Sequence, residues 1–408
     1  MAYLRSLPKE CHRLLTRVRV STGITISVVL IASTMATDAY CSVREKDTTP
    51  TEIVVQDTAQ ENVLPKEHVS LEHVLYRHSK ILFLSTRDHY QIRDSTEIYV
   101  MNVDGSEQKN LTNNPAYDEY PSWSPDGKKI AFWSIRGKKS NCDIYVMNAD
   151  GSGQRQLTNS SWNLLPSWSP DSNKIAFNSI RDGNNDIYVM NADGSEQVRS
   201  TNDPAIDDYP CWSPDGTKIV FQSNRDGNPD IYVMKADGSG QSNLSNHPAR
   251  DDCPFWSPDG KKIAFRSNRD KTLEHIAPNT PYGANYDLYV MNIDGSEQKR
   301  LTINATIAEG YSWSPDGKKI AFMSWYEIYT ITNDGSGQRK LTNNHAIDTR
   351  PSWSPDGLKI VFQSNRDKNL EIYVMNADGS EQERLTNNPN SDLRPLWSPF
   401  LPSGQARE

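Results

Sequence analysis

Cysteine is sparse in this chain, five among 408 residues. Four of the five (Cys41, Cys142, Cys211, Cys253) follow an N-terminal apolar run, too few for a disulfide scaffold at this length. Cys211 and Cys253 sit just before tryptophans in consecutive repeats. One bridge between them would fit by position, and burial as small apolar side chains is the simpler expectation. No C-x-x-C or H-E-x-x-H spacing occurs, so no resident metal or cofactor is expected. A G-x-S-x-G nucleophile elbow is missing too, which excludes a complete serine peptidase of the α/β-hydrolase kind. Positive charge is short outside the leader. The net charge is −8, and the first 36 residues carry five basic side chains against one acidic. An acidic body at −12 follows, with no cluster of Lys/Arg interleaved with aromatics, so nucleic acid is excluded as a partner.

Long apolar segments are equally scarce. The one run, Val20 to Ala36, spans 17 residues after the basic leader, about the lower limit for crossing a bilayer. Residues 1–36 therefore read as a signal peptide or an N-terminal membrane anchor, with 37–79 as a linker. The body is expected to be exported to the periplasm or beyond, touching membrane only through this segment.

What is abundant is tryptophan, ten residues, beside 24 Pro and 22 Gly with only 36% hydrophobic residues, a mixture that argues against a helical bundle. Seven of the tryptophans (Trp123, Trp168, Trp212, Trp256, Trp313, Trp353, Trp397) occur in Trp-Ser-Pro, spaced 45, 44, 44, 57, 40 and 44 residues apart. Such a period marks a repeat architecture. Each period holds short β-branched and aromatic runs: Trp-Ser-Pro, then Lys-Ile-x-Phe, then Ile-Tyr-Val-Met, then a short segment ending near Leu-Thr. Asp-Gly turns separate them, and hairpins this tight make neighbouring strands antiparallel. The Ile-Tyr-Val-Met strands are apolar on both faces, so every sheet must be covered on both sides. Radially stacked four-stranded sheets satisfy this. The prediction is an all-β, seven-bladed β-propeller over residues 80–399, followed by a tail at 400–408. The first Lys-Ile strand, at Lys80, has no Trp-Ser-Pro before it, and Trp397-Ser398-Pro399 has no Lys-Ile strand after it. The C-terminal strand should therefore complete the first blade and leave no open edge.

The string W-S-P-D-G-K-K-I-A-F, with S-x-R-D-G, D-I-Y-V-M-N-A-D-G-S and L-T behind it, resembles the TolB-type propeller repeat. The resemblance implies an exported propeller of the bacterial envelope that binds protein partners near its central channel. Similar repeats also occur in the propellers of prolyl-oligopeptidase-like peptidases and of carbohydrate-active lyases. This chain departs from the family's namesake in having seven blades rather than six, and residues 37–79 in place of a sizeable α/β domain.

In such a meander the Asp-Gly hairpins share one face, and the crossovers between repeats share the other with the loops after Lys-Ile-x-Phe. Sequence variety concentrates on this crossover face, the expected binding face. Its acidic column, Asp118, Asp207, Asp251, Asp348 and Asp392 (Asn163 and Ala308 in the other two blades), reads either as a carboxylate ring for a cation or basic partner or as pairing with the arginine column at Arg87, Arg136, Arg181, Arg225, Arg269 and Arg366. Before the crossover proline the seven blades have Tyr120, Leu165, Tyr209, Cys253, Gly310, Arg350 and Arg394. The two arginines form a candidate basic patch for a carboxylate. Trp162 stands outside the repeat in a crossover loop, and residues 270–287 form a long loop with His275. His247, His275 and His345 would be the candidate ligands of a metal-dependent lyase. The expected function is a non-catalytic binding or scaffold module with a protein partner in the cell envelope. The alternative is a carbohydrate-active lyase or hydrolase on the same fold.

Overall fold

The structure is a computed structural model, and it describes residues 15–19, 25–29, 79–88, 95–136, 141–159, 162–270, 286–303 and 310–399. Two compact units arise from the chain, one of residues 1–78 with 401–408 and one of residues 79–400. In the first, Leu15–Arg19 pairs antiparallel with Thr25–Val29. The latter strand lies within the apolar run, and the rest of the run and of the linker lie outside the described residues. Among the described residues no helix is long and apolar enough to cross a membrane.

The second unit is a seven-bladed propeller of four-stranded antiparallel sheets. We label the strands of each blade a to d from the channel outward. In blade 2 they are Asp118–Trp123, Lys129–Ser134, Asp143–Asn148 and Arg155–Gln156. Blade 1 takes its strand a from the C-terminus: Asp392–Trp397 pairs with Lys80–Ser85, with Ile81 opposite Trp397 and Ser85 opposite Asp392. The closing strand is also pinned beyond the ladder, since Ser398 N–H donates to the Lys80 carbonyl at 2.8 Å and its hydroxyl accepts from Lys80 N–H at 2.9 Å.

The repeat string is an inventory of turn chemistry. In blade 2 the serine hydroxyl of Trp-Ser-Pro-Asp-Gly donates to Asp126 at 2.6 Å and accepts from Lys129 N–H at 2.9 Å, closing the a–b hairpin from inside. The residue after this aspartate is left-handed, φ 67° at Gly127, and blade 3 makes the same turn with Ser172 at φ 61°. The c–d turn demands glycine more strictly. Gly105 has φ +82°, and a Cβ there would lie 2.6 Å from the Leu385 carbonyl oxygen of the neighbouring blade. Glycine therefore sets how closely adjacent blades approach.

The core lies between blades rather than within one. Ala131, Ile144 and Val146 of blade 2 pack with Trp168, Ile175, Phe177 and Met190 of blade 3, and the other interfaces repeat this arrangement. All seven repeat tryptophans are buried; Trp168 Nε1 donates to the Ser122 carbonyl across the interface at 3.0 Å. Cys142, Cys211 and Cys253 are free thiols, so no bridge joins the latter two. Trp212→Ala should open a cavity between blades 3 and 4 at a cost of about 3–5 kcal/mol, read as a lower urea midpoint in equilibrium unfolding.

Candidate functional site

The acidic column is consumed by the scaffold. Each of Asp118, Asp207, Asp251, Asp348 and Asp392 is 0% exposed. Their partners are Arg136 at 3.0 Å, Arg225 at 3.0 Å, Arg269 at 2.6 Å, Arg366 at 3.1 Å and Arg87 at 2.5 Å. Asn163 does the same in blade 3, accepting from Arg181 at 2.9 Å. The guanidinium lies over a Phe ring of strand b and a Tyr ring of strand c, as with Arg225 at 5.6 Å from Phe221 and 4.6 Å from Tyr232. Its Nη1 donates to a glutamine, Gln241 at 2.7 Å, whose amide donates in turn to the Ser200 carbonyl of the preceding blade at 3.0 Å. Burial pushes the Asp251 and Asp392 carboxyls up, opposed by the Ser267 and Ser85 hydroxyls and by Arg269 and Arg87. None of the five lines the channel. The structure places them inside the blades with their arginines, which corrects their assignment to a ligand surface.

The channel is lined instead by the residues before the crossover prolines. Strand a carries a bulge at this point in six of the seven blades, and in blade 6 the described part of the strand is Ser312–Trp313. The residue at this position is left-handed in all seven blades: Tyr120, Leu165, Tyr209, Cys253, Arg350 and Arg394 between φ 50° and 55°, and Gly310 at 93°. A bulge of this kind re-aims a side chain, and the seven converge on a cavity of about 440 Å³. Proline at the next position donates nothing to the ladder, which an inner edge strand tolerates.

One side of this mouth is charged. Arg394 stacks 4.2 Å from the Tyr120 ring centroid and lies 3.7 Å from the Glu119 carboxylate. Its backbone N–H donates to Gln363 at 2.7 Å. Arg350 reaches across blade 6, where Gly310 leaves room: a Cβ on that glycine would stand 3.3 Å from Arg350 Cγ. Burial raises the Glu119 carboxyl, opposed by the charges of Arg394 and Arg350. The two arginines predicted from sequence thus line the same cavity, with Glu119 as an unforeseen partner of Arg394.

The other side is aromatic and apolar, and opens into a neighbouring cleft of about 370 Å³ on the crossover face of blades 2 to 4. Trp162, 48% exposed, lines this cleft rather than the channel. Trp133 forms another wall, stacked between Tyr117 and Tyr120 at 6.1 and 6.3 Å. Neither His247 nor His345 lines the channel mouth or this cleft. His247 Nδ1 accepts from Ala249 N–H at 3.1 Å within its own loop, and His275 lies outside the described residues. Among the described residues no three His, Cys, Asp or Glu side chains are grouped to hold a metal ion.

The family described as TolB beta propeller domain matches residues 79–164, 159–280 and 325–401, more than half of the chain. The chain belongs to the TolB beta propeller family. Among solved structures, TolB from Acinetobacter baumannii aligns with TM-score 0.52 at 22% identity, covering 79% of this chain and 67% of that one. The oligogalacturonate lyase of Vibrio parahaemolyticus gives 0.57 at 14%, covering 88% and 98%. The β-propeller domain of the trilobed protease from Pyrococcus furiosus gives 0.56 at 14%, covering 76% and 95%. At these identities the likeness is one of fold. No curated protein matches the sequence.

Within this TolB-type propeller the residues that sequence reasoning missed share a column. The fifth position of strand b reads Leu84, Trp133, Asn178, Gln222, Arg266, Met323 and Gln363 between an otherwise repeating Lys-Ile-x-Phe and Ser. In blade 5 it gives a buried Arg266–Asp252 pair at 2.7 Å, with Arg266 4.8 Å from the Tyr286 ring centroid. Variation inside so regular a frame was the available signal.

Two expectations follow from the repeated columns. Asp207→Ala strands the half-buried Arg225 and should cost about 3 kcal/mol, whereas Asp207→Asn, the arrangement native to blade 3, should cost a small part of that; urea unfolding of the two variants compares them. The second concerns alkaline pH. Tyr99, Tyr188, Tyr232, Tyr289 and Tyr373 each donate to an aspartate (Asp88, Asp182, Asp226, Asp270, Asp367). Burial first, and that hydrogen bond second, hold their phenols above the ordinary range. The folded chain keeps protons that the unfolded chain releases near about pH 10, so stability is full below that pH and falls as pH rises beyond it. Urea midpoints at about pH 8 and 10.5 should show the decline, and Tyr232→Phe should make it shallower.

Proposed function

We propose that the chain is an exported, non-catalytic propeller that binds a protein partner of the cell envelope on its crossover face, over the channel mouth. The observation that carries this reading is the ring of left-handed residues on strand a. Such conformations cost of order 1 kcal/mol or more per non-glycine residue. Here they turn six side chains, with Gly310 as the seventh position, into one cavity, while the repeating columns are engaged within and between blades. A rigid scaffold with its variation gathered at one mouth is the arrangement expected of a binding module. The basic leader and apolar run support export. Arg350 and Arg394 give the mouth its anchor for a carboxylate of the partner.

The test is capture from an envelope extract on the immobilised protein and on an Arg350→Ala/Arg394→Ala variant of unchanged fold by circular dichroism. A protein retained by the first and lost from the second is expected. Turnover of an acidic polysaccharide by the purified protein, abolished by the same substitutions, would overturn the reading in favour of a lyase.

A further inference from the structure

Eight times among the described residues this protein places an arginine over an aromatic ring beside a carboxylate or an amide oxygen. Six are the scaffold arginines, with Asp or Asn on one side and a Gln oxygen on the other. The seventh is Arg266 over Tyr286 with Asp252. The eighth is Arg394 over Tyr120 with Glu119. The cleft on blades 2 to 4 brings together the same residue types, Trp133, Trp162 and Tyr209 with Asp208 and Asn178, yet no cationic side chain lines it.

Asn178 is the sharpest sign that something is received there. It lines the cleft and is 2% exposed; its amide nitrogen donates to Asn185 Oδ1 at 3.1 Å, and its own oxygen is buried with no hydrogen-bond partner. Leaving a buried amide oxygen unpaired is costly, and a donor that reached it would recover that cost. Around it stand exposed apolar side chains, Trp162, Ile180 and Ile206, suited to the aliphatic stem of a long side chain. A planar group with several N–H donors matches a site of π-faces and acceptors. The chain's net charge of −8 favours approach of a basic surface.

We propose that this cleft is a receptor for an arginine side chain presented by the protein partner. The identity of the source rests on the binding-module reading; the cleft's preference for a guanidinium does not. The test therefore uses purified full-length protein and a short acetylated, amidated Gly-Arg-Gly peptide, with tryptophan fluorescence as the readout and the Gly-citrulline-Gly peptide, equal in shape and uncharged, as comparison. Saturable quenching by the arginine peptide is expected, with citrulline at least about tenfold weaker. Trp162→Ala, an exposed position that leaves the fold intact, should abolish the change. Asp208→Asn should weaken the arginine peptide about tenfold without altering the citrulline one. Absence of a saturable response, equal affinity for the two peptides, or a neutral oligosaccharide competing at the same residues would each overturn the assignment. A failed titration beside a successful envelope capture would remove the arginine receptor and leave the channel-mouth reading standing.

Discussion

The propeller depends on a guanidinium that is never free to do anything else. Arg225 is held by the strand-a carboxylate of Asp207, by the rings of Phe221 and Tyr232 on strands b and c, and by Gln241 at the start of strand d. Gln241 then bonds the backbone of the preceding blade. One side chain thereby ties the four strands of its sheet and, through a single amide, the sheet to its neighbour. A buried carboxylate alone would be costly, and a buried guanidinium likewise. Together the two charges offset one another, with the π-faces and the glutamine oxygen completing the guanidinium's surroundings, and the arrangement recurs in six blades, with Asn163 in place of the aspartate in blade 3.

Blade 6 shows what happens without it. Its strands b and c are joined by a tight hairpin through Trp325 and Tyr326, both left-handed at φ 51° and 63°, so the segment that elsewhere carries the arginine is missing. The described part of its strand a is Ser312–Trp313. Tyr311 takes the place of the crossover proline and compensates in part, its hydroxyl donating to carbonyls of blade 5, including Ala264 at 3.1 Å. The gap left at Gly310 is where Arg350 of blade 7 lies. The glycine of blade 6 thus leaves room for a charged side chain at the channel.

The fold was legible because repetition turns weak signals into strong ones. A lone Ile-Tyr-Val-Met run is ambiguous, but seven copies at a fixed distance from Trp-Ser-Pro fix strand number, order and closure. Trp162, Arg350 and Arg394 could be singled out because they break a column. Their grouping could not be read, because the bulge that swings Arg350 and Arg394 into the channel depends on left-handed backbone at non-glycine residues, which no residue type announces. The acidic column misled in the opposite direction. Charge at a loop edge looks available, and only the register that brings Asp207 opposite Ser223 and beneath Arg225 shows it to be enclosed. Asn178 was hidden for a different reason, since it sits in the middle of a strand, where polar residues usually face solvent.

These two classes of position explain how one frame can carry unrelated binding properties. The scaffold columns occupy one face of each sheet and its turns. The bulge residue of strand a and the fifth residue of strand b project instead toward the mouth and the neighbouring blade, where no repeated contact constrains them. Substitution at Tyr120, Asn178 or Arg394 changes what the mouth and its cleft present without touching an Arg–Asp–Gln staple. A change at Asp207 or Gln241 alters stability while leaving the mouth's chemistry as it was. Stability and the chemistry of the mouth are thus written in separate registers of the same repeat, and the non-repeating register is the one that sets what the mouth presents.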